Sequence, residues 1–507
     1  MNRRAFLLGT TAFGLAGPAG AATPGAPAAT PFGPDTVLAL ARDLASRPYA
    51  PRAEVPDAYR HLGYDGYRTI WFDTAMAVWE GEAVPFRMDL FLPGLYFLRP
   101  VDVAVVEDGT ARPVPFDLAL FDRTDQAPDL PVDETVGYSG IRLRAASEVP
   151  DVYREFAVFQ GASYFRAIGE GLIYGLSARG LALRTADPEG EEFPDFTRFW
   201  VERAAPDAAS VVVHALLDGP SAAGAYRFEL TPGPACRIEV EATLFPRVAL
   251  DHVGLAPLTS MFLYDQTNRW RFRDFRPAIH DSDGLAMWNG AGERIWRPLA
   301  NATTLQVSSF VDVDPKGFGL MQRAQRLADF ADLEARYERR PSLWIEPRGA
   351  WGEGVVRLVE IPSDMEIYDN VVAYWRPREP LPAGEPYGFA YAMTWFDEAS
   401  ADPAPSSVAP VLDTHLGESF ERESLTVAID LAAHPALDGE LATLAATVHV
   451  DGAEASGGVL QRNPETGGVR LTFGFDPDDR EVVELRAQVT RDGRPASEVW
   501  LYRWTQA

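Results

Sequence analysis

The sequence predicts an all-β protein, with a large β sandwich in the N-terminal part followed by a small immunoglobulin-like β sandwich. Three observations lead to this fold class. Short runs of β-forming residues alternate with glycine, proline and aspartate turns, regular strand–helix alternation is missing, and the composition changes near residue 400. The chain has 507 residues, of which 47% are hydrophobic and 11% aromatic, which is enough to fill more than one buried core.

Residues 1–22 have the pattern of a cleavable twin-arginine signal peptide. Arg3 and Arg4 precede a short apolar stretch that ends in small residues, which is typical of this export signal. The stretch is interrupted by glycine and proline and falls short of the roughly 20 apolar residues that a membrane-spanning helix needs. The sequence therefore predicts a protein that works in a bacterial periplasm and has no stable membrane insertion after export.

Residues 33–398 are rich in aromatic side chains and are predicted to form the larger sandwich. This part begins with a helical pattern over Pro34–Ser46, and a second amphipathic helix is predicted over Gly319–Ala335. The β-forming runs between these two helices include Tyr67–Phe72, Phe86–Leu92, Val211–Leu216 and Tyr226–Leu230. The sequence contains no glycine-rich phosphate-binding motif, so a nucleotide-binding fold is disfavoured.

Residues 399–410 are rich in alanine, serine and proline and are predicted to form a linker. Residues 411–507 then carry short β-forming runs separated by turn signals, a pattern typical of an immunoglobulin-like sandwich. The runs are Leu425–Leu431, Ala445–Val450, Val469–Phe475, Val482–Val489 and Val499–Trp504. The Cys…Trp…Cys pattern of true immunoglobulin domains is missing from the sequence, so the resemblance concerns architecture alone.

The charge balance and the scarcity of metal ligands exclude several kinds of partner. The sequence has 73 acidic and 46 basic side chains, which gives a formal net charge of −27. Nucleic-acid binding needs a basic surface, so a nucleic-acid partner is disfavoured. Cys236 is the single cysteine and the seven histidines are scattered, so the sequence predicts neither a metal site nor a cofactor.

Two acidic segments are the strongest candidates for chemistry, because tryptophans and arginines crowd around them. The segments are His280-Asp-Ser-Asp-Gly284 and Ser363-Asp-Met-Glu-Ile-Tyr-Asp-Asn370. Aromatic faces stack on sugar rings, arginines bind hydroxyl groups, and paired carboxyl groups supply the acid and base of glycosidic cleavage. The candidate substrate-binding residues are Trp288, Trp296, Trp344, Trp351, Arg276 and Arg340. Each tryptophan could instead pack in a core, and each arginine could instead form a surface ion pair.

Over nearly its whole mature length the chain resembles the periplasmic glucan biosynthesis proteins of the OpgG/OpgD (MdoG/MdoD) type. The twin-arginine leader is more similar to the OpgD branch. The resemblance rests on long stretches, among them Phe86-Arg-Met-Asp-Leu-Phe-Leu-Pro-Gly-Leu-Tyr-Phe97, Gly161-Ala-Ser-Tyr-Phe-Arg-Ala-Ile-Gly169, Phe275-Arg-Pro-Ala-Ile-His-Asp-Ser-Asp-Gly284 and Asp369-Asn-Val-Val-Ala-Tyr-Trp375. It implies an N-terminal sandwich of the galactose-mutarotase-like kind, a C-terminal immunoglobulin-like sandwich, and an inverting enzyme that hydrolyses or transfers β-1,2-glucan.

The resemblance also implies roles for individual residues. Asp369 matches the general acid of the family, and Asp281 matches its proposed base, which acts through a relay. Glu366 and Tyr337 match supporting residues, and a nearby Glu366 charge would raise the pKa of the acid. Arg276 and Arg340 are candidates to keep the base ionised.

Some assignments stay open in the sequence. Asp283 lies two positions from Asp281, and Asp364 lies five positions from Asp369. A small shift in the match to the family would therefore give the role of base or acid to these residues instead. Asp283 is also a candidate supporting residue. A non-catalytic, glucan-binding scaffold protein is the alternative function. The family further suggests a homodimer, and hydrolysis is not distinguished from cyclising transfer.

Overall fold

The computed structural model describes residues 28–398, 400, 402–420, 424–452 and 454–506. The described chain consists mostly of β-strands, which confirms the all-β fold class. The predicted twin-arginine signal peptide, residues 1–22, lies outside the described residues, as do two positions of the predicted linker, Ala399 and Ala401.

Within the described part of the chain, four short α-helices accompany the strands. They are α1 (Thr36–Ala45), α2 (Asp57–Arg60), α3 (Tyr64–Tyr67) and α4 (Leu327–Phe330). Helix α1 confirms the helix predicted over Pro34–Ser46. Its buried Val37 and Ala41 pack against Trp200 and Phe245, because the helical period places these two small apolar residues on one face.

The strands before residue 398 carry most of the structure. They are β1 (Thr30–Pro31), β2 (Ile70–Phe72), β3 (Phe86–Phe91), β4 (Asp102–Glu107), β5 (Thr110–Pro113), β6 (Phe121–Arg123), β7 (Gly140–Ala146), β8 (Tyr153–Gln160), β9 (Tyr164–Ala167), β10 (Ser177–Arg179), β11 (Ala182–Leu183), β12 (Asp195–Glu202), β13 (Val211–Asp218), β14 (Ala222–Thr231), β15 (Cys236–Pro246), β16 (Val253–Ser260), β17 (Phe262–Tyr264), β18 (Ile279–His280), β19 (Gly284–Trp288), β20 (Arg294–Pro298), β21 (Gln306–Val313), β22 (Gly317–Met321), β23 (Ser342–Arg348), β24 (Glu353–Glu360), β25 (Val371–Pro377) and β26 (Tyr387–Phe396).

Two large sheets pack face to face around the main core. One has the order β1-β5-β4-β12-β13-β14-β15-β26-β23-β22-β19-β20 and continues into the C-terminal strands. The other has the order β21-β24-β25-β16-β10-β9-β8-β7-β3, and β11 also pairs with β16. Phe159 of the second sheet and Phe228 of the first are fully buried, with ring centroids 5.2 Å apart. Contacts of this kind hold the two sheets together as a sandwich.

The described residues after 410 form eight strands. They are β27 (Val411–Glu418), β28 (Leu425–Leu431), β29 (Leu444–Val450), β30 (Ala455–Arg462), β31 (Val469–Phe475), β32 (Val482–Arg491), β33 (Arg494–Pro495) and β34 (Val499–Thr505). Strands β27, β28, β31 and β30 form a four-stranded sheet, whereas β34, β32 and β29 extend the first large sheet. The link is a parallel pairing of β20 with β34, in which Trp296 lies beside Trp500. The C-terminal strands therefore share a sheet with the N-terminal part.

Most of the predicted elements coincide with observed ones. The five predicted C-terminal runs correspond to β28, β29, β31, β32 and β34, and three of the four N-terminal runs correspond to β3, β13 and β14. The run over Tyr67–Phe72 is a strand only in its second half, because Tyr67 ends α3.

The amphipathic helix predicted over Gly319–Ala335 is wrong for most of its length. Phe318 and Leu320 are fully buried at alternate positions of β22, which is the period of a strand rather than a helix. Only Leu327–Phe330 is helical, and it ends where Ala331 adopts a left-handed backbone conformation with φ of 54°.

Candidate active site

Three loops meet where β16 ends and β25 begins. They connect β17 to β18, β22 to β23, and β24 to β25. Strands β16 and β25 are antiparallel neighbours, with Ser260 opposite Val371, so the end of one strand lies beside the start of the other. The two acidic segments singled out in the sequence flank this point from opposite sides.

Backbone and amide hydrogen bonds fix both segments to the three residues Ser260–Phe262. The Asp281 N–H donates to the Met261 carbonyl at 2.8 Å. On the other side, the Phe262 N–H donates to Asn370 Oδ1 at 2.9 Å, and Asn370 Nδ2 donates back to the Phe262 carbonyl at 3.0 Å. Asp281 and Asp369 are therefore held next to one short stretch of backbone, although 88 sequence positions separate them.

Asp281 is a buried carboxylate with one cationic partner. Its Oδ1 accepts a hydrogen bond from Arg340 Nη1, and the residue is 4% exposed. Burial raises the pKa of Asp281 to about 6, the positive charge of Arg340 opposes this rise, and the negative charge of Asp369 adds to it. The guanidinium of Arg340 also lies over the ring of Tyr337, 4.2 Å from its centroid.

Asp369 is more open and borders a cleft. Its side chain is 35% exposed, and Arg166 Nη2 lies 4.0 Å from its Oδ2. Arg166 is oriented by a 2.7 Å hydrogen bond from its Nε to Ser177 Oγ. The adjacent cleft has a volume of about 550 Å³ and is lined by Asp369, Arg166, Tyr96 and Tyr164 among others. The charges of both Asp369 and Arg166 act on Asp281, which places the three groups in one electrostatic cluster.

Glu366 joins the three loops. Its Oε2 accepts a hydrogen bond from Arg276 Nη1 at 2.8 Å and another from the Tyr337 hydroxyl at 3.0 Å. Burial raises the pKa of Tyr337, so the hydroxyl stays protonated and remains a donor. Arg276 Nη1 also binds Asp332 Oδ2 at 2.9 Å. The loop that carries Asp369 is thus anchored through Glu366 to both neighbouring loops.

The two predicted arginines, Arg276 and Arg340, have different partners in this network. Arg340 contacts Asp281, as expected of a residue that keeps the base ionised. Arg276 instead binds Asp274, Asp332 and Glu366, so it orders the loops. Glu366 is therefore ion-paired with Arg276.

His280 is a neutral structural residue directly before Asp281. Its Nδ1 lies 2.9 Å from Gln322 Oε1, and Gln322 Nε2 donates to the carbonyls of His280 and Tyr337. Since Gln322 Oε1 is an acceptor, Nδ1 of His280 carries the proton. Burial lowers the pKa of His280 to about 4, which keeps the ring uncharged at neutral pH.

Asp283 does not join the Asp281 cluster. Its Oδ2 accepts hydrogen bonds from the backbone N–H groups of Arg323 and Ala324 at 3.0 and 3.1 Å. Burial raises the pKa of Asp283 to about 7. The carboxyl group therefore fixes the start of the loop after β22, and it makes no hydrogen bond to Asp281 or Arg340. Asp364, the other alternative, is exposed on the surface of its loop.

The four predicted tryptophans lie outside the cluster, which corrects their expected role. Trp296 and Trp344 are 3% exposed and pack in a core shared with the C-terminal strands. Trp351 is 7% exposed and packs in the main core beside Trp375. The ring of Trp288 faces the guanidinium of Arg294, 3.6 Å from its centroid. Trp296, Trp344 and Trp351 are therefore too buried to stack on a sugar, whereas Trp288 is half-buried and packs against Arg294.

Sequence reasoning missed the contribution of β9 to the site. Arg166 and Tyr164 lie about 200 residues before Asp369, so no spacing rule connects them to it. The signal that could have identified them is the stretch Gly161–Gly169, which carries part of the family resemblance. Within the described ranges, no group of three or more His, Cys, Asp or Glu side chains is arranged to hold a metal ion. No described helix is long and apolar enough to cross a membrane.

The cleft thus combines the carboxyl group of Asp369 with the aromatic rings of Tyr96 and Tyr164. The comparison with known families is more specific. The chain belongs to the periplasmic glucan biosynthesis protein family MdoG, whose sequence profile matches residues 32–504.

Relatives support the same assignment. The Glucans biosynthesis protein G of Shewanella sp. (strain MR-4) is 48% identical over 475 residues, which are 94% of this chain and 87% of the relative. Glucans biosynthesis protein G of Vibrio cholerae serotype O1 (strain ATCC 39541 / Classical Ogawa 395 / O395) is 47% identical over 476 residues, with the same coverage of each chain. Both relatives carry a name that agrees with membership of this family. The closeness of this chain to the OpgD branch stays a prediction.

Proposed function

We propose that the protein is an inverting enzyme that acts on β-1,2-glucan, with Asp369 as general acid and Asp281 as general base. The observation that carries this proposal is the placement of an open and a buried carboxyl group on either side of Ser260–Phe262. Inversion needs two carboxyl groups in different environments, one that donates a proton and one that accepts it.

Asp369 is suited to protonate the leaving oxygen, because it borders the cleft in which a glucan chain would lie. Its carboxyl group is open to substrate in the free protein. A sugar chain that covers it displaces water from the cleft. The proton moves from Asp369 to the glycosidic oxygen as the bond to the anomeric carbon breaks.

Asp281 is suited to accept the proton of the nucleophile. With a pKa of about 6 it is ionised at pH 7 by roughly ten to one, and it is a stronger base than an exposed aspartate. Because it is buried, the proton reaches it through an intervening water molecule or sugar hydroxyl. A water nucleophile gives hydrolysis, whereas a hydroxyl group of the glucan gives transfer with a new α-linkage.

The experiment is incubation of the purified mature protein with linear β-1,2-glucan, followed by analysis of product size. Asp369→Asn and Asp281→Asn are compared with wild type, and Asp364→Asn is the matched control because Asp364 is an exposed aspartate of the same loop. We expect both site variants to lose at least a hundredfold in rate and the control to keep wild-type activity. A wild type that leaves the glucan unchanged would support the non-catalytic scaffold instead.

Two further features of the protein are proposed on the sequence. The twin-arginine motif directs export to the periplasm, and replacement of Arg3 and Arg4 by lysine should retain the precursor in the cytoplasm. A homodimer follows from the family resemblance, and light scattering on the mature protein tests it.

A further inference from the structure

A second cleft lies between the N-terminal part and the C-terminal strands, apart from the one beside Asp369. It has a volume of about 510 Å³. The loops after β17 and β20 form one wall and the ends of β27 and β34 form the other. We call it the junction cleft, and the lining residues that matter here are Asn268, Trp270, Arg271, Asn301, Arg503 and Trp504.

The junction cleft presents aromatic rings at its opening. Trp270 lies on the short turn Arg269–Arg271 and is 74% exposed. Trp504 lies across the cleft on β34 and is half-buried, with Phe475 packed edge-on against it. Unlike Trp296 and Trp344, these two indoles line open space, so they have the surface that stacks on the apolar face of a sugar ring.

The polar groups of the junction cleft include donors that lack acceptors. The Arg271 guanidinium is half-buried and donates to the Asn301 carbonyl, yet no carboxylate of the described residues lies within 4.0 Å of it. Asn268 Oδ1 accepts from the Asp265 N–H at 3.0 Å, while its buried Nδ2 has no hydrogen-bond partner within the described chain. Because Asn268 Nδ2 is buried, it is not open to a ligand, whereas Arg271 carries further N–H donors for which a ligand rich in hydroxyl groups would supply acceptors.

Asn301 connects the junction cleft to the loop that holds Asp369. Asn301 Oδ1 accepts from the Ser363 N–H at 3.0 Å, and its Nδ2 donates to the Ser363 carbonyl at 2.7 Å. Asp369 follows Ser363 by six positions, so their Cα atoms are at most about 22 Å apart. The two clefts are near enough for one polymer chain to reach both.

We infer that the junction cleft is a second saccharide-binding site, which holds a segment of the glucan chain away from the reaction site. Stacking on Trp270 and Trp504 supplies the affinity, and the donors of Arg271 bind sugar hydroxyls. The identity of the saccharide rests on the proposed function; the presence of a carbohydrate site does not.

Binding is tested in the Asp369→Asn background, so that turnover does not remove the ligand. Linear β-1,2-glucan oligosaccharides are titrated by calorimetry into this protein and into versions that also carry Trp270→Ala or Arg271→Gln. Loss of one aromatic stack should weaken binding at the junction cleft roughly tenfold. Trp71→Ala is the matched control, because Trp71 is 49% exposed on β2 and lies outside this cleft.

Hydrogen exchange locates the ligand. Saccharide should slow amide exchange in residues 267–271 and 502–505, and Trp270→Ala should abolish that protection. Unchanged exchange there, or equal affinity of Trp270→Ala and the control, overturns the inference. The inference is also overturned if inorganic phosphate displaces the saccharide and protects the same residues. Arg271 would then bind an anion rather than a sugar.

Kinetics separate this inference from the proposed function. Trp270→Ala should raise the KM for long glucan about tenfold relative to the KM for short fragments, because only a long chain reaches both clefts. Equal KM changes for both substrates, in an active enzyme, would refute the junction cleft and leave the proposed function standing. Saccharide protection of residues 267–271 in a protein without activity would refute the proposed function and leave the junction cleft standing.

Discussion

The contact between Arg340 and Asp281 gives the sharpest prediction about electrostatics. The change is Arg340→Gln, which keeps a hydrogen-bond donor near Asp281 but removes the positive charge. The Asp281 pKa is about 6 while that charge opposes the effect of burial. Loss of an adjacent cation raises a carboxyl pKa by about 1–3 units, so we expect a value of about 7–9 in the variant.

The expected effect on stability has a definite sign. A carboxyl pKa that is raised in the folded state favours the folded protein below the unfolded pKa, and this advantage is lost as pH rises through the folded pKa. Arg340→Gln extends that loss to higher pH. We therefore expect the variant to be destabilised by about 1–3 kcal/mol more at pH 8 than at pH 5, where Asp281 is protonated in both proteins.

The assay is urea denaturation of wild type and variant at pH 5 and pH 8. Arg326→Gln serves as the control, because Arg326 is an 82% exposed arginine on the same loop whose partner is Asp329. In parallel, the acidic limb of the kcat/KM profile should move from near pH 6 to about pH 7–9. Equal destabilisation at both pH values, with an unmoved limb, would refute the proposed electrostatic role of Arg340.

Three further predictions test the supports of the site. Tyr337→Phe removes the donor to Glu366 and should cost about 0.5–1.5 kcal/mol in transition-state stabilisation, with little change in the urea midpoint, as kcat/KM and denaturation would show. The pKa of His280 is lowered to about 4 in the folded protein, so its contribution to stability is present above pH 6.5 and is lost as the pH falls towards 4. Wild type should therefore lose on the order of 3 kcal/mol of unfolding free energy over this range through His280. His280→Gln should not show that loss when urea denaturation is measured across the same range. Trp296→Ala should destabilise the protein by about 3–5 kcal/mol and leave its affinity for glucan unchanged, because the ring is buried. The control Trp71→Ala should change neither quantity. Weaker glucan binding by a folded Trp296→Ala protein would show that this ring takes part in binding.

Local sequence pattern was sufficient for most of the fold. Alternation of apolar residues identified strand β31, because successive side chains in a strand point to opposite faces, and a cluster of β-forming residues identified β13. It failed over Gly319–Ala335, where apolar residues of a strand and of a short helix follow each other and together resemble one amphipathic helix. The continuation of the large sheet through β20 and β34 had no local signal, since the paired residues lie about 200 positions apart.

In the candidate site, too, some features had a sequence signal and others depended on the fold. The segments around Asp281 and Asp369 were found from composition and from the family resemblance, and the structure brings them together. The role expected of Trp296 and Trp344 was wrong because composition reports how many indoles a segment has, not which of them a neighbouring strand covers. Arg276 was placed in the correct cluster but with the wrong partner, because several acidic side chains lie within reach and only the fold selects Glu366 and Asp332.

The central claim is that Asp369 and Asp281 act as an inverting pair on β-1,2-glucan. Proton NMR of the first products, recorded before mutarotation, tests it most directly. The proposal predicts an α-configured anomeric centre, as a free reducing end or in a new linkage, from wild type and no product from Asp369→Asn. A β-configured product, or an unchanged rate in Asp369→Asn, would contradict it.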